Sequence, residues 1–362
     1  MHMADALLAP AVAGVMYVAS GATAGLSISK LKKDDNVAKL PVMAVTAALV
    51  FAGQMINYTI PGTGSSGHMC GGMLLSALLG PYAGFLSMIV ILAIQCLFFA
   101  DGGLMALGAN AWNMAFYGCF VGYFLIWKPI MQSNLMKEKS ELDPAGERSV
   151  NRIKIILASI LGCVLTLQLG AFSVVLETQI SGITELPFGA FVALMQPIHL
   201  AVGLVEGLIT AAVLVFINET RPELLGEVKV KDPSVSNRMT LKNVIITLSV
   251  VAIIVGGGLS LFASGNPDGL EWSLFGNAES GYSQNMGLDE EDYGLSSSIA
   301  EKAEAIQEKT AFLPDYAIEN NDSAAGTTVS GVLGAALVAA IAAFIALIGG
   351  FFRKKNAEVK DE

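Results

Sequence analysis

The amino-acid sequence predicts an all-α polytopic membrane protein of about nine transmembrane helices, and three observations lead there. Hydrophobic residues make up 54% of the 362 and charged residues only 14%, where a soluble domain carries roughly 25% charged. Mean hydropathy is +0.61. Long apolar runs such as Val42–Phe51, Phe85–Phe99 and Val244–Phe262 recur along the chain, as bilayer-crossing helices require.

Reading apolar runs against breakers places spans at roughly 10–28, 40–58, 68–80, 82–100, 103–127, 153–176, 189–217, 241–263 and 329–351. The third span is short, since about thirteen residues rise only ~20 Å against a hydrocarbon core of ~30 Å. It follows Pro61-Gly-Thr-Gly-Ser-Ser-Gly67, a polar loop. The expectation is a half-helix that starts at His68 and dips to the midplane, where irregular backbone survives only inside protein or beside a polar cavity. An ordinary loop with a misplaced boundary is the alternative.

Charge placement sets the orientation. With the N-terminus outside, inner segments fall at about 28–40, 128–154, 218–242 and the C-terminal tail. They hold every basic residue except Lys302 and Lys309. The N-terminus is therefore expected to be extracellular and the C-terminus cytoplasmic.

Two modules follow: a seven-span core over 1–217, and a two-span accessory unit over 241–362, joined by a charged cytoplasmic linker at 218–240. The accessory unit carries an acidic extracellular segment, 264–328, which accounts for the formal charge of −10. No basic patch points to nucleic acid. Residues 296–309 read as a short amphipathic helix with a Ser N-cap. Cys70, Cys96, Cys119 and Cys163 lie in apolar stretches without CxxC spacing, as small buried hydrophobes do.

Histidine occurs three times, at His2, His68 and His199. A free α-amine followed by a histidine at position 2 is an unusual chelator. The amine, the deprotonated His2 amide nitrogen and the imidazole Nδ1 can close a five- and a six-membered ring on one metal. One further imidazole completes a square-planar nitrogen set, a geometry that suits Ni(II) or Cu(II). His68 on an outer re-entrant loop could reach the same cavity. The plainer alternatives are a solvated terminal His2 and a packed, hydrogen-bonded His68.

Other polar residues are candidates for support. Asp5 could orient an imidazole or cap the first helix. Asn57, Asp101, Asn110 and Asn113 lie near outer span ends and could bond the imidazoles or the loop. His199 and Glu206 share a helical face seven residues apart and could pair within the bundle. Ala44, Ala48 and Ala52 form a small-residue face, either for a partner helix or for packing within the chain. There is no GxxxxGK[ST] pattern for ATP and no HExxH pattern for a metalloenzyme.

These residues together resemble a known family. Met1-His2, Gly64-Ser-Ser-Gly-His68-Met-Cys-Gly-Gly72, Phe99-Ala-Asp-Gly-Gly-Leu104 with Leu107-Gly-Ala-Asn110, and the run from His199 to Thr210 are similar to the nickel/cobalt substrate-binding membrane subunit (CbiM/NikM type) of energy-coupling factor ABC transporters. Pro267-Asp-Gly-Leu-Glu-Trp272 resembles the PDGLE-type (NikN/CbiN-like) accessory domain. The resemblance implies Met1, His2 and His68 as metal ligands, and Ni(II) or Co(II) as the transported substrate of a non-enzymatic subunit. It also implies a transmembrane coupling subunit and two ATPase subunits as partners, in a bacterial or archaeal cell membrane. The planar nitrogen set favours nickel. Met3-Ala4-Asp5-Ala6 departs from the usual family opening, which bears on metal selectivity. A secondary transporter or channel acting alone is the rival reading.

Overall fold

A computed structural model describes residues 1–32, 39–133, 152–182, 187–225, 239–277, 297–318 and 324–358. The chain is almost wholly helical, in eleven principal helices among these residues. Pro10–Leu31 (α1) and Lys39–Gln54 (α2) lead to a two-stranded antiparallel hairpin of Tyr58–Ile60 (β1) and Ser65–Gly67 (β2). There follow Gly72–Leu79 (α3), Pro81–Phe99 (α4), Leu107–Gln132 (α5), Arg152–Ser181 (α6) and Phe188–Thr220 (α7). The remainder holds Leu241–Gly257 (α8), Gly269–Phe275 (α9), Ser298–Thr310 (α10) and Ala324–Glu358 (α11).

Seven of the described helices are long and apolar enough to cross a bilayer, and α2 is a shorter apolar helix. Their outward faces carry unpartnered apolar side chains, with Val18 73% and Phe262 84% exposed. A water-soluble surface does not sustain such faces over whole helices. The chain is an integral membrane protein.

The third predicted span differs from expectation. His68 does not start a helix, because Ser65–Gly67 is drawn into the hairpin and the helix begins only after Gly71, whose φ is 84°. The eight residues of α3 rise ~12 Å, so α3 alone cannot cross. It is nevertheless buried throughout its length. The chain at 61–71 thus enters the protein interior without regular helix, a placement that needs polar partners for its backbone.

The amphipathic helix expected at 296–309 is present as α10, with the Ser297 side chain accepting from the Ala300 N–H at 3.0 Å. The acidic run Asp289–Asp292 lies outside the described residues. Ala44, Ala48 and Ala52 are buried. Their helix α2 packs on α8 and α11, and Ala52 meets Gly256. That small-residue face is used for packing within the chain.

Candidate metal site

The N-terminal segment is threaded into the protein, with Met1, Met3, Leu7 and Leu8 all buried. Burial of an irregular segment demands partners for its backbone, and it has them. The Met3 N–H donates to Asn110 Oδ1 at 2.7 Å, and the Met3 carbonyl accepts from Asn110 Nδ2 at 3.1 Å. That carbonyl also accepts from the Gly103 N–H at 2.9 Å. Asp5 Oδ1 accepts from the Ala106 N–H at 2.9 Å. Gly103 has to be glycine here, because a Cβ would collide with the Asp5 carboxylate and backbone.

This threading brings His2 against His68, the two rings stacked with centroids 5.2 Å apart and planes at 23°. His68 Nδ1 lies 3.0 Å from the Met69 carbonyl. A carbonyl only accepts, so Nδ1 carries the proton and Nε2 keeps its lone pair. Burial, with the nearby amine and His2, pushes the His68 pKa down to about 4, so the ring is neutral at ordinary pH.

The tautomer of His2 follows from a relay that begins at another carbonyl. Gln54 Nε2 donates to the Cys70 carbonyl at 2.7 Å, which turns Gln54 Oε1 toward Gln95. Gln95 Nε2 donates to that oxygen at 3.0 Å, which turns Gln95 Oε1 toward His2 Nε2, 3.2 Å away. His2 Nε2 must then be the N–H, and Nδ1 is the ring nitrogen left for a proton or a metal. Nδ1 faces Asp101 Oδ1 at 3.1 Å, and the other Asp101 oxygen accepts from the Tyr316 hydroxyl.

The Met1 amine donates to Asp268 Oδ2 at 2.6 Å. Burial alone would lower the amine's pKa, but the Asp268 charge and hydrogen bond raise it above its ordinary 8.0. Burial acts on Asp268 in the opposite sense, and the amine's charge holds that carboxyl well below its usual range.

The structure therefore brings Met1, His2, His68 and Asp101 together, with Asn110 and Asp5 holding the segment that carries the first two. Asp5 touches neither imidazole and does not cap α1, whose N-cap is Ala9. Asn57 contributes only its backbone carbonyl, to Ser264, and its side-chain oxygen is buried without a partner among the described residues. Asn113 bonds Glu177 at 2.8 Å and the Met3 sulfur at 3.6 Å. His199 and Glu206 do not pair, because two helical turns separate them by ~10 Å. His199 bonds the Met195 carbonyl at 2.8 Å. Glu206 accepts from the Cys70 and Gly71 N–H groups at 2.7 and 2.9 Å, holding the irregular chain before α3.

Four contributors escaped the sequence reading. Gln54 and Gln95 stand in apolar spans, where a lone amide carries no pattern. Tyr316 and Asp268 lie far along the chain, and of these only Asp268 stood in a motif. Among the described residues no group of three His, Cys, Asp or Glu side chains is arranged to hold a metal.

Residues 2–224 match the family described as CbiM, cobalt uptake substrate-specific transmembrane region. The chain belongs to the CbiM family. Residues 242–349 match the PDGLE domain, so this CbiM-family chain carries that domain in fusion. It is 33% identical over 343 residues to a putative fused nickel transport protein NikMN of Archaeoglobus fulgidus, covering 94% of this chain and 96% of that protein. A fused nickel transport protein NikMN of Rhodobacter capsulatus is 29% identical, covering 94% and 95%. A cobalt transport protein CbiM of Sorangium cellulosum is 29% identical, over 57% of this chain and 84% of its own.

Proposed function

We propose that this CbiM-family chain captures Ni(II) or Co(II) for uptake, as the substrate-binding subunit of an energy-coupling factor transporter in the cell membrane. The metal is the substrate, bound by the Met1 amine, the His2 amide nitrogen, His2 Nδ1 and His68 Nε2. The observation that carries this reading is the stacking of His2 on His68 beside the buried amine. The hydrogen-bond pattern supports it further. The Gln54–Gln95 relay favours Nδ1 as the coordinating atom of His2, where a metal would replace the proton facing Asp101, and the Met69 carbonyl favours Nε2 on His68. A ligating imidazole whose other nitrogen is fixed by a hydrogen bond is the usual arrangement at metal sites.

A planar set of four nitrogens, one of them a deprotonated amide, suits low-spin Ni(II) better than Co(II). The names of the fused relatives point the same way. Two carboxylates, Asp101 and Asp268, balance the charge of a buried cation, which would otherwise be costly in a medium of low dielectric. The distribution of basic residues under the positive-inside rule supports an N-terminus outside, on the side from which metal would be captured. ATP hydrolysis belongs to separate ATPase subunits acting through a coupling membrane subunit.

The test is metal analysis of the purified full-length chain against a variant with three residues added before Met1, since a single added residue would itself offer a four-nitrogen set of amine, two amides and imidazole. The extension keeps every side chain and moves only the free amine. Nickel affinity should fall by at least ~100-fold; unchanged stoichiometry and affinity would sink the N-terminal chelate.

A further inference from the structure

The sequence Pro267-Asp-Gly-Leu-Glu271 sits against the metal-site loop, and each of its first three residues has a distinct contact there. The Pro267 carbonyl accepts from the Ser66 N–H at 2.8 Å, next to a bridge between Ser66 and Asp268. Asp268 splits its two oxygens. Oδ1 caps α9, accepting from the Leu270 and Glu271 N–H groups at 2.8 and 2.9 Å. Oδ2 takes the Met1 amine. Gly269 passes so close to α7 that a Cβ would lie 2.7 Å from Ile198 Cγ2 and 3.0 Å from His199 Cε1. The turn is thus clamped on one side by β2 and on the other by α7, with one carboxylate oxygen fixed by the helix cap and the other aimed at the amine.

We propose that Asp268 is a positioning residue for metal capture, making the C-terminal module part of the binding site. Apart from burial, the carboxylate is the partner the structure gives the amine. It fixes where the nitrogen stands relative to His2 and His68. A metal-bound primary amine keeps two N–H bonds, so the contact persists after capture while the carboxylate offsets the metal's charge. The helix cap makes this possible, since it stops the Asp268 side chain from rotating away. This inference rests on the N-terminal chelate.

The experiment is Ni(II) titration of the full chain against a competing chelator, with the absorption band of planar Ni(II) recorded at saturation. Asp268→Ala should bind ~10–100-fold more weakly, as loss of a ligand-orienting partner does, and keep the planar band at saturation. Asp268→Asn retains an oxygen for the amine and should fall between it and wild type. Thr59→Ala removes a contact between the modules away from the amine, the 2.8 Å bond to Ser264, and should bind as wild type. Asp268→Ala within about twofold of wild type, or tighter, overturns the proposal. So does an equal loss in Thr59→Ala, which would mark the effect as one of docking, and so does a band absent at saturation, which would mark it as collapse of the site. If the extended N-terminus abolishes binding while the Asp268 variants bind normally, the chelate stands and this proposal alone fails. If the extension is harmless, the chelate itself fails.

Discussion

The N-terminal segment and the Asp268 turn meet at one amine but are held in different ways. The segment is fixed through the Met3 backbone, by Asn110 and Gly103, and through the Asp5 side chain, by the Ala106 N–H, all within the first 110 residues. The turn is fixed from the C-terminal module, by one strand-like contact to Ser66 and by close packing on α7. The proposed nitrogen donors therefore come from the core, and the charge facing the amine comes from the accessory module. Asp101 joins the two regions, with His2 on one oxygen and Tyr316 on the other. Asp268 serves both the amine's position and its charge, while the rest of the segment is held within the core, so mutations can break one set of contacts without the other.

Beyond the extended N-terminus, the largest effect is expected from His68→Ala, which removes a nitrogen donor outright. Nickel affinity should fall by ~100-fold or more, and titration of the purified variant checks it. Full binding by that variant would remove His68 from the ligand set.

Next is pH. The amine, raised above 8.0, and the amide must both lose protons to bind metal, so affinity falls as pH falls. His68, with a pKa of about 4, is neutral throughout the neutral range and adds no slope there. Between pH 6 and 8 nickel affinity should rise by more than ~10-fold per unit, the limit for one displaced proton. A plateau in that range, read by competition titration, would exclude the amine as a ligand.

A smaller effect is expected from Gln95→Leu, which cuts the relay that sets the His2 tautomer. Affinity should drop ~10-fold, with the planar band retained at saturation. Binding indistinguishable from wild type would show that His2 does not depend on the relay.

The smallest effect on metal, but a clear one on stability, belongs to Glu206→Gln. The amide keeps one acceptor oxygen for the two N–H groups of Cys70 and Gly71, leaving one buried donor short at about 1–3 kcal/mol. The thermal midpoint should fall while nickel affinity at low temperature changes by less than ~3-fold. A loss of affinity without loss of stability would move Glu206 into the metal site.

Much of the fold could be read directly, because lipid imposes one simple demand on a helix: apolar length. The runs at Pro81–Phe99 and Phe188–Thr220 state it openly. The stretch from Pro61 to Gly71 does not, since a hairpin and an irregular entry segment depend on partners such as Glu206 that no local pattern names. In the candidate site, the scarcity of histidine and the chemistry of a free amine pointed to Met1, His2 and His68. Asp101 and Asn110 were legible as polar residues at span ends, though not their different tasks.

The amino-acid order by itself determined a membrane protein and singled out candidate nitrogen donors at its first two residues and in one loop. Tertiary structure decided that His68 holds its Nδ1 proton against the Met69 carbonyl and that His2 turns Nε2 to Gln95 and Nδ1 to Asp101, because each ring atom's role follows from the hydrogen bond it meets. It also decided that Asp268, 267 residues along the chain from Met1, faces the amine. Only packing of the C-terminal module on the core could bring that charge into place.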